Sequence, residues 1–96
     1  MSWTVYILRC GDGTFYTGCT NDLRRRLEAH RSGRGAKYTR GRLPVDVVYQ
    51  EPVPDKSSAL RREIAIKRLS RAQKRTLIET GRRRGSPPPA IPMSNG

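Results

Sequence analysis

Ninety-six residues carry 20 Lys and Arg against 8 Asp and Glu, a formal net charge of +12, and only 34% of the chain is hydrophobic. This length allows one small domain with a modest core. The charge excludes cationic partners and points to a polyanion, nucleic acid first and an anionic membrane face second.

No apolar run approaches the roughly 20 residues of a membrane span. Met1-Ser2-Trp3-Thr4 lacks the basic-then-apolar order of a signal peptide, so the chain reads as cytoplasmic, with no membrane partner. Cys10 and Cys19 do not make a disulfide framework or a zinc site and read as small packing residues.

Residues 3–10 (WTVYILRC) are β-prone, Gly11-Asp12-Gly13-Thr14 is a turn, and Phe15-Tyr16-Thr17-Gly18-Cys19 is β-prone again, which predicts a hairpin. Thr20-Asn21-Asp22 offers N-caps for a helix reaching about Arg31, stopped by Ser32-Gly33-Arg34-Gly35. Residues 32–44 read as a basic, Gly-rich loop. Residues 45–51 form a third strand, stopped by Pro52 and Pro54. Asp55 or Ser57 caps a second helix to about Leu69, and Ser70 with Gln73 forms a capping box for a third, roughly 71–79. From Thr80 the chain turns Arg- and Pro-rich, a composition expected to stay disordered. The reading is thus a folded domain over 1–79 and a tail over 80–96. Its fold class is α+β, a small three-stranded antiparallel sheet flanked by helices in the order ββαβαα.

Helical phase separates the three arginines of the first helix. With Leu23 at zero and about 100° per residue, Leu27 falls near 40°, Arg24 and Arg25 turn to solvent, and Arg26 and His30 lie near 300° and 340° beside the apolar stripe. Arg26 and His30 are also i,i+4 neighbours. On the second helix, with Ala59 at zero, Glu63 and Lys67 land near 40° and 80°, inside an arc bounded by Ile66, Leu60 and Ile64. A carboxylate there is costly unless it is paired or metal-bound. An ion pair with Lys67, worth about 0.3–0.5 kcal/mol at a surface, competes with a metal or active-site role. Tyr6 and Tyr16 occupy the two strands of the hairpin, and a phenol can act as acid or base when its surroundings lower its pKa from about 10.

These residues together resemble the GIY-YIG nuclease family. Val5-Tyr6-Ile7 matches its first strand triplet, keeping the tyrosine, and Tyr16-Thr17-Gly18 matches the second. Arg26 and His30 match the arginine and the histidine or tyrosine four residues on, and Glu63 matches the glutamate of a later helix. The similarity covers about residues 3–79 and is closest to short single-domain bacterial members of the YhbQ-like type, which share the Gly-Arg-Gly-Ala-Lys loop.

The resemblance implies hydrolysis of a phosphodiester by an endonuclease, with DNA ahead of RNA and branched, flapped or damaged sites as candidate substrates. Glu63 would hold one divalent cation, Mg²⁺ with Mn²⁺ as a substitute. Arg26 would clamp non-bridging oxygens, and Tyr16 would activate the water with help from Tyr6 or His30. Nucleic acid would dock on Arg34, Lys37, Tyr38, Arg40 and Arg42 of the loop and on Lys67, with Tyr38 free to stack on an unpaired base. No obligate protein partner is inferred. A non-catalytic basic nucleic-acid-binding module on the same fold, or a ribosome-associated protein, would share the charge.

Overall fold

A computed structural model describes residues 2–83. Strands β1 (Trp3–Cys10) and β2 (Phe15–Thr20) form the expected hairpin, followed by helix α1 (Leu23–Arg31), a single helical turn α2 (Lys37–Arg40), strand β3 (Val45–Val53) and helices α3 (Lys56–Lys67) and α4 (Arg71–Arg83). All pairing is antiparallel and the strand order is β2-β1-β3, so β1 is central.

Alternation along β1 divides the interior in two. Val5 and Ile7 face Ala59 and Ile66 of α3 and Ile78 of α4, with Phe15 and Cys19 of β2 alongside. Tyr6, Leu8 and Cys10 point the other way, toward Val45, Tyr16 and the α1 residues Leu23 and Leu27. The register shifts at Ile7/Leu8, a bulge that leaves Val48 without a partner on β1 and turns both Val48 and Tyr49 toward the α3–α4 side.

The helix starts follow from local hydrogen-bond chemistry. Asp22 caps α1 by accepting from Arg25 N at 3.1 Å, and Asp55 caps α3 by accepting from Ser58 N at 2.8 Å. Ser70 and Gln73 exchange bonds of 2.8 and 3.1 Å, the expected capping box.

Three boundaries differ from the sequence reading. β3 runs through Pro52 to Val53, because β3 is an edge strand and a missing N–H on its outer side disrupts no ladder. The loop over 32–44 contains α2, whose one turn is too short for any periodic signal. The third helix continues past Thr80 to Arg83, since Gly81 lies flat against the Tyr49 ring, where a Cβ would stand 2.8 Å from it. The rest of the expected tail lies outside the described residues. No helix among the described residues is long and apolar enough to cross a membrane.

Candidate active site

The cross-strand register builds the centre of the site. Tyr6 stands opposite Gly18, and Leu8 opposite Tyr16. A Cβ at Gly18 would sit 2.6 Å from the Tyr6 hydroxyl, 2.8 Å from its Cζ and 3.2 Å from Tyr16 Cε2. The glycine is therefore a steric requirement, since it leaves the space through which the Tyr6 side chain passes.

α1 closes over this face and delivers His30, fully buried, against Tyr6, which is 1% exposed. The Tyr6 hydroxyl lies 3.1 Å from His30 Nε2, and Thr39 Oγ1 lies 2.9 Å from Nδ1. Gly35 packs so tightly on the other side of the imidazole that a Cβ would collide with Nδ1. Tyr16 meets His30 through its ring, with centroids 5.4 Å apart at 60°. His30 thus binds Tyr6 through nitrogen and Tyr16 only through its edge.

Arg26 is exposed, and its guanidinium is near enough to Tyr6 and Tyr16 to couple to both phenols electrostatically. The hydroxyl of Tyr6 holds that guanidinium's pKa above its ordinary value, against desolvation. Burial pushes the Tyr6 phenol up to about 12, with the neighbouring Arg26 pulling the other way. Burial, then the Arg26 charge, draws His30 below its ordinary 6.5. Both groups are neutral at neutral pH.

Glu63 stands apart from these four. Cys19 alternates to the opposite face from Tyr16 and Gly18, and its thiol donates to Glu63 Oε1 at 3.2 Å. The Lys67 ammonium holds Oε2 at 2.9 Å, so the i,i+4 ion pair is formed. The Glu63 side chain remains only 17% exposed. Leu60 and Ile64, expected within the apolar arc, are exposed at 43% and 53%. The buried stripe narrows to Ala59 and Ile66 because the three-stranded sheet offers α3 only this much cover, and Glu63 lies at its margin beside edge strand β2. Lys67 links the two faces, its pKa raised first by Glu63 and, more weakly, by Tyr16. Cys19 is more than a packing residue. Burial and the adjacent Glu63 push its thiol up to about 11, so it stays protonated and donates.

A lone carboxylate limits which cation could bind. No group of three or more His, Cys, Asp or Glu side chains gathers among the described residues. Glu63 spends two of its roughly four lone-pair positions on Cys19 and Lys67. What remains suits a hard cation that takes most of its ligands from water and phosphate, as Mg²⁺ does.

The basic loop is partly committed. Arg42 bridges Asp12 at 3.0 Å, donates to the Tyr38 carbonyl at 2.7 Å and lies 4.1 Å from the Tyr38 ring centroid. Tyr38 stacks on Tyr16, with centroids 5.8 Å apart at 29°. Tyr38 is thus engaged with the site's own phenol, and Arg42 holds it there. Arg34 folds back onto Ser32 at 3.1 Å. Lys37 and Arg40 stay exposed, with no ion-pair partner among the described residues.

A basic α+β domain with two phenols, an imidazole and a guanidinium on one face, and a carboxylate at the sheet edge, has the groups that phosphoryl chemistry uses. Comparison with known proteins bears on which reaction they serve. The model of the GIY-YIG catalytic domain matches residues 2–76. A UPF0213 protein of Halobacterium salinarum is 56% identical over 74 residues, covering 77% of this chain and 96% of its own. One of Oceanobacillus iheyensis is 53% identical over 75 residues, 78% of this chain and 87% of its own. The solution structure of a UPF0213 protein from Bacillus halodurans superposes with a TM-score of 0.55 at 49% identity, covering 83% of this chain and 85% of that one. That of a protein from E. faecalis gives 0.60 at 42%, covering 85% and 88%. The chain belongs to the GIY-YIG family, whose catalytic domain is that of an endonuclease superfamily acting on nucleic acid.

Sequence reasoning missed two supports of the site. Gly35 carried no signal beyond its place in a Gly-rich stretch. Thr39 carried none, because its role depends on a turn that brings it back to His30.

Proposed function

We propose that the protein is a divalent-metal-dependent endonuclease that hydrolyses phosphodiester bonds in DNA. The observation that carries this reading is the buried Tyr6–His30 hydrogen bond with the Arg26 charge coupled to both phenols.

The roles follow from position. Arg26 offers a planar, exposed fork that binds two non-bridging phosphate oxygens, which a lysine would not reproduce. Tyr16, the more open phenol, takes the place nearest the attacking water. Tyr6 and His30 lie behind it as a neutral pair: as the Tyr6 oxygen accepts the displaced proton, the Tyr6 hydroxyl proton would pass to His30 Nε2. Lys37 and Arg40 engage the backbone further along the strand. Glu63 would hold Mg²⁺ or Mn²⁺, which supplies charge neutralisation at the leaving oxygen when bound. Pre-placed charge, more than any covalent step, lowers the barrier.

The test uses purified protein with Mg²⁺ or Mn²⁺ against single-stranded, duplex, flapped and junction DNA, and the matching RNA. Nicking is expected on DNA, lost in Arg26→Ala and Glu63→Gln with the circular dichroism unchanged. Full activity in Glu63→Gln would remove the metal role. The second reading, a non-catalytic nucleic-acid-binding module, draws on the Glu63–Lys67 ion pair, which occupies the one candidate metal ligand. It expects no cleavage with either metal and binding that weakens steeply with salt.

A further inference from the structure

Both ring nitrogens of His30 are engaged inside the protein, and the partners differ in what they can offer. The Thr39 hydroxyl has one proton and donates it to the Ala36 carbonyl at 2.9 Å. It therefore meets Nδ1, 2.9 Å away, with lone pairs only. A neutral imidazole carries a single N–H. Its place is then Nδ1, and Nε2 is left as a bare acceptor 3.1 Å from the Tyr6 hydroxyl.

The other end of the chain of bonds agrees. Arg26 lies near the Tyr6 phenol with a positive charge and donors alone, since a guanidinium accepts nothing. That charge favours turning the Tyr6 oxygen toward Arg26 and its proton away. His30 Nε2 is the acceptor in reach. In the opposite tautomer, Nε2–H would donate to Tyr6, whose own proton would lose its acceptor at Nε2, and Nδ1 would depend on Thr39 giving up Ala36.

We propose that Thr39 is a positioning residue: it holds His30 as the Nδ1–H tautomer and so makes Nε2 the acceptor for the Tyr6 hydroxyl proton. Its placement depends on α2. Thr39 N also bonds the Ala36 carbonyl, at 3.0 Å, so the turn presents a fully buried hydroxyl to the imidazole. Lys37 and Arg40, exposed on the same turn, carry charge for a nucleic-acid strand. One four-residue element thus joins the docking surface to the proton acceptor.

The catalytic consequence rests on the nuclease reading above, whereas the tautomer does not, and the experiment separates them. His30 is the chain's only histidine, so long-range ¹H–¹⁵N correlation of ¹⁵N-labelled protein reports a single imidazole. Without metal or DNA, at neutral pH, Nδ1 is expected at a protonated, pyrrole-type shift and Nε2 at an unprotonated, pyridine-type shift. Thr39→Val keeps the shape and removes the acceptor. It is expected to lose this pattern and to lower nicking about 100-fold, the order expected for a misplaced catalytic group. Thr39→Ser should restore both. A wild-type spectrum with Nε2 protonated overturns the proposal, as does a folded Thr39→Val protein with the wild-type pattern. If Thr39→Val does not fold, the wild-type spectrum decides alone. If the spectra behave as expected and no form of the protein cleaves nucleic acid, the nuclease reading fails and the tautomer assignment stands.

Discussion

The Tyr6 hydroxyl and His30 Nε2 lie 3.1 Å apart, with Tyr6 1% and His30 0% exposed. Each is held in its neutral form by the same cause. Burial penalises the phenolate and the imidazolium alike, and Arg26, which favours the phenolate, also disfavours the imidazolium. The resting site therefore keeps a neutral phenol on Tyr6 hydrogen-bonded to a neutral imidazole on His30.

This relationship predicts how stability depends on pH. Because folding lowers the His30 pKa below 6.5, the unfolded chain binds more protons than the native one near and below that value. The contribution is complete above the unfolded pKa of about 6.5 and is lost as pH falls from there toward the folded value. Guanidinium midpoints from pH 8 to 5 should drop below about pH 6.5, and His30→Gln should flatten that part of the curve. Asp12 and Asp55, whose pKa values are lowered by the Thr14 and Ser58 hydrogen bonds, act in a more acidic window, below 3.8. An identical decline in His30→Gln would assign the loss to other groups.

Gly18→Ala should disable the site by steric means alone. The added Cβ has the Tyr6 hydroxyl at 2.6 Å, and Tyr6, enclosed between β2 and α1, has little room to withdraw. Overpacking of this kind costs about 1–3 kcal/mol. The variant should lose that much in chemical denaturation and also lose the Tyr6–His30 bond, read as a shifted Nε2 resonance. A wild-type resonance in a folded variant would show that the close approach is relaxed elsewhere.

How much of this was legible in the sequence depended on the range of the physics involved. The hairpin and the caps at Asp22, Asp55 and Ser70–Gln73 are local, and composition and short hydrogen bonds determine them. The phase of the first helix placed Arg26 and His30 as neighbours because an i,i+4 relation needs no tertiary information. The exit of β3 through Pro52 was not legible, since only the strand order makes β3 an edge. Nor was the Thr39–His30 bond, which joins residues nine positions apart through a turn without periodicity. Phase put Glu63 inside the apolar arc of α3, whereas it lies at the margin of the buried stripe, because the face of the sheet it meets depends on how α3 returns past β2. The same return explains why Leu60 and Ile64, apolar by phase, overhang the edge in solvent.

Thr17 carries a prediction that sequence could not supply. Its side chain is 3% exposed and its hydroxyl lacks a hydrogen-bond partner among the described residues. A buried hydroxyl without a partner costs roughly 1–3 kcal/mol. Thr17→Val keeps the β-branched shape and removes the polar atom. It should stabilise the fold by about 1 kcal/mol, which raises Tm by about 4–8 °C in a domain of this size. A lower Tm would mean that the hydroxyl is satisfied, most simply by a bound water.

The Glu63–Lys67 pair offers the sharpest separation of roles at the sheet edge. The Lys67 side chain is 52% exposed, so the pair adds at most about 0.5 kcal/mol to stability, and Lys67→Met should leave the unfolding midpoint nearly unchanged. Its effect on function depends on what Glu63 does. If Glu63 binds the cation, the ammonium on Oε2 competes with it, and removing Lys67 should lower the Mn²⁺ concentration at half-maximal nicking. Depletion of the free Mn²⁺ electron paramagnetic resonance signal should show the same gain without any turnover. If Lys67 instead contacts a phosphate, KM for DNA rises and the salt dependence of binding becomes shallower by about one counterion, while the metal requirement stays put. An unchanged metal requirement with an unchanged KM would reduce the pair to a tie within α3, and Glu63 would then have to be tested through Glu63→Gln alone.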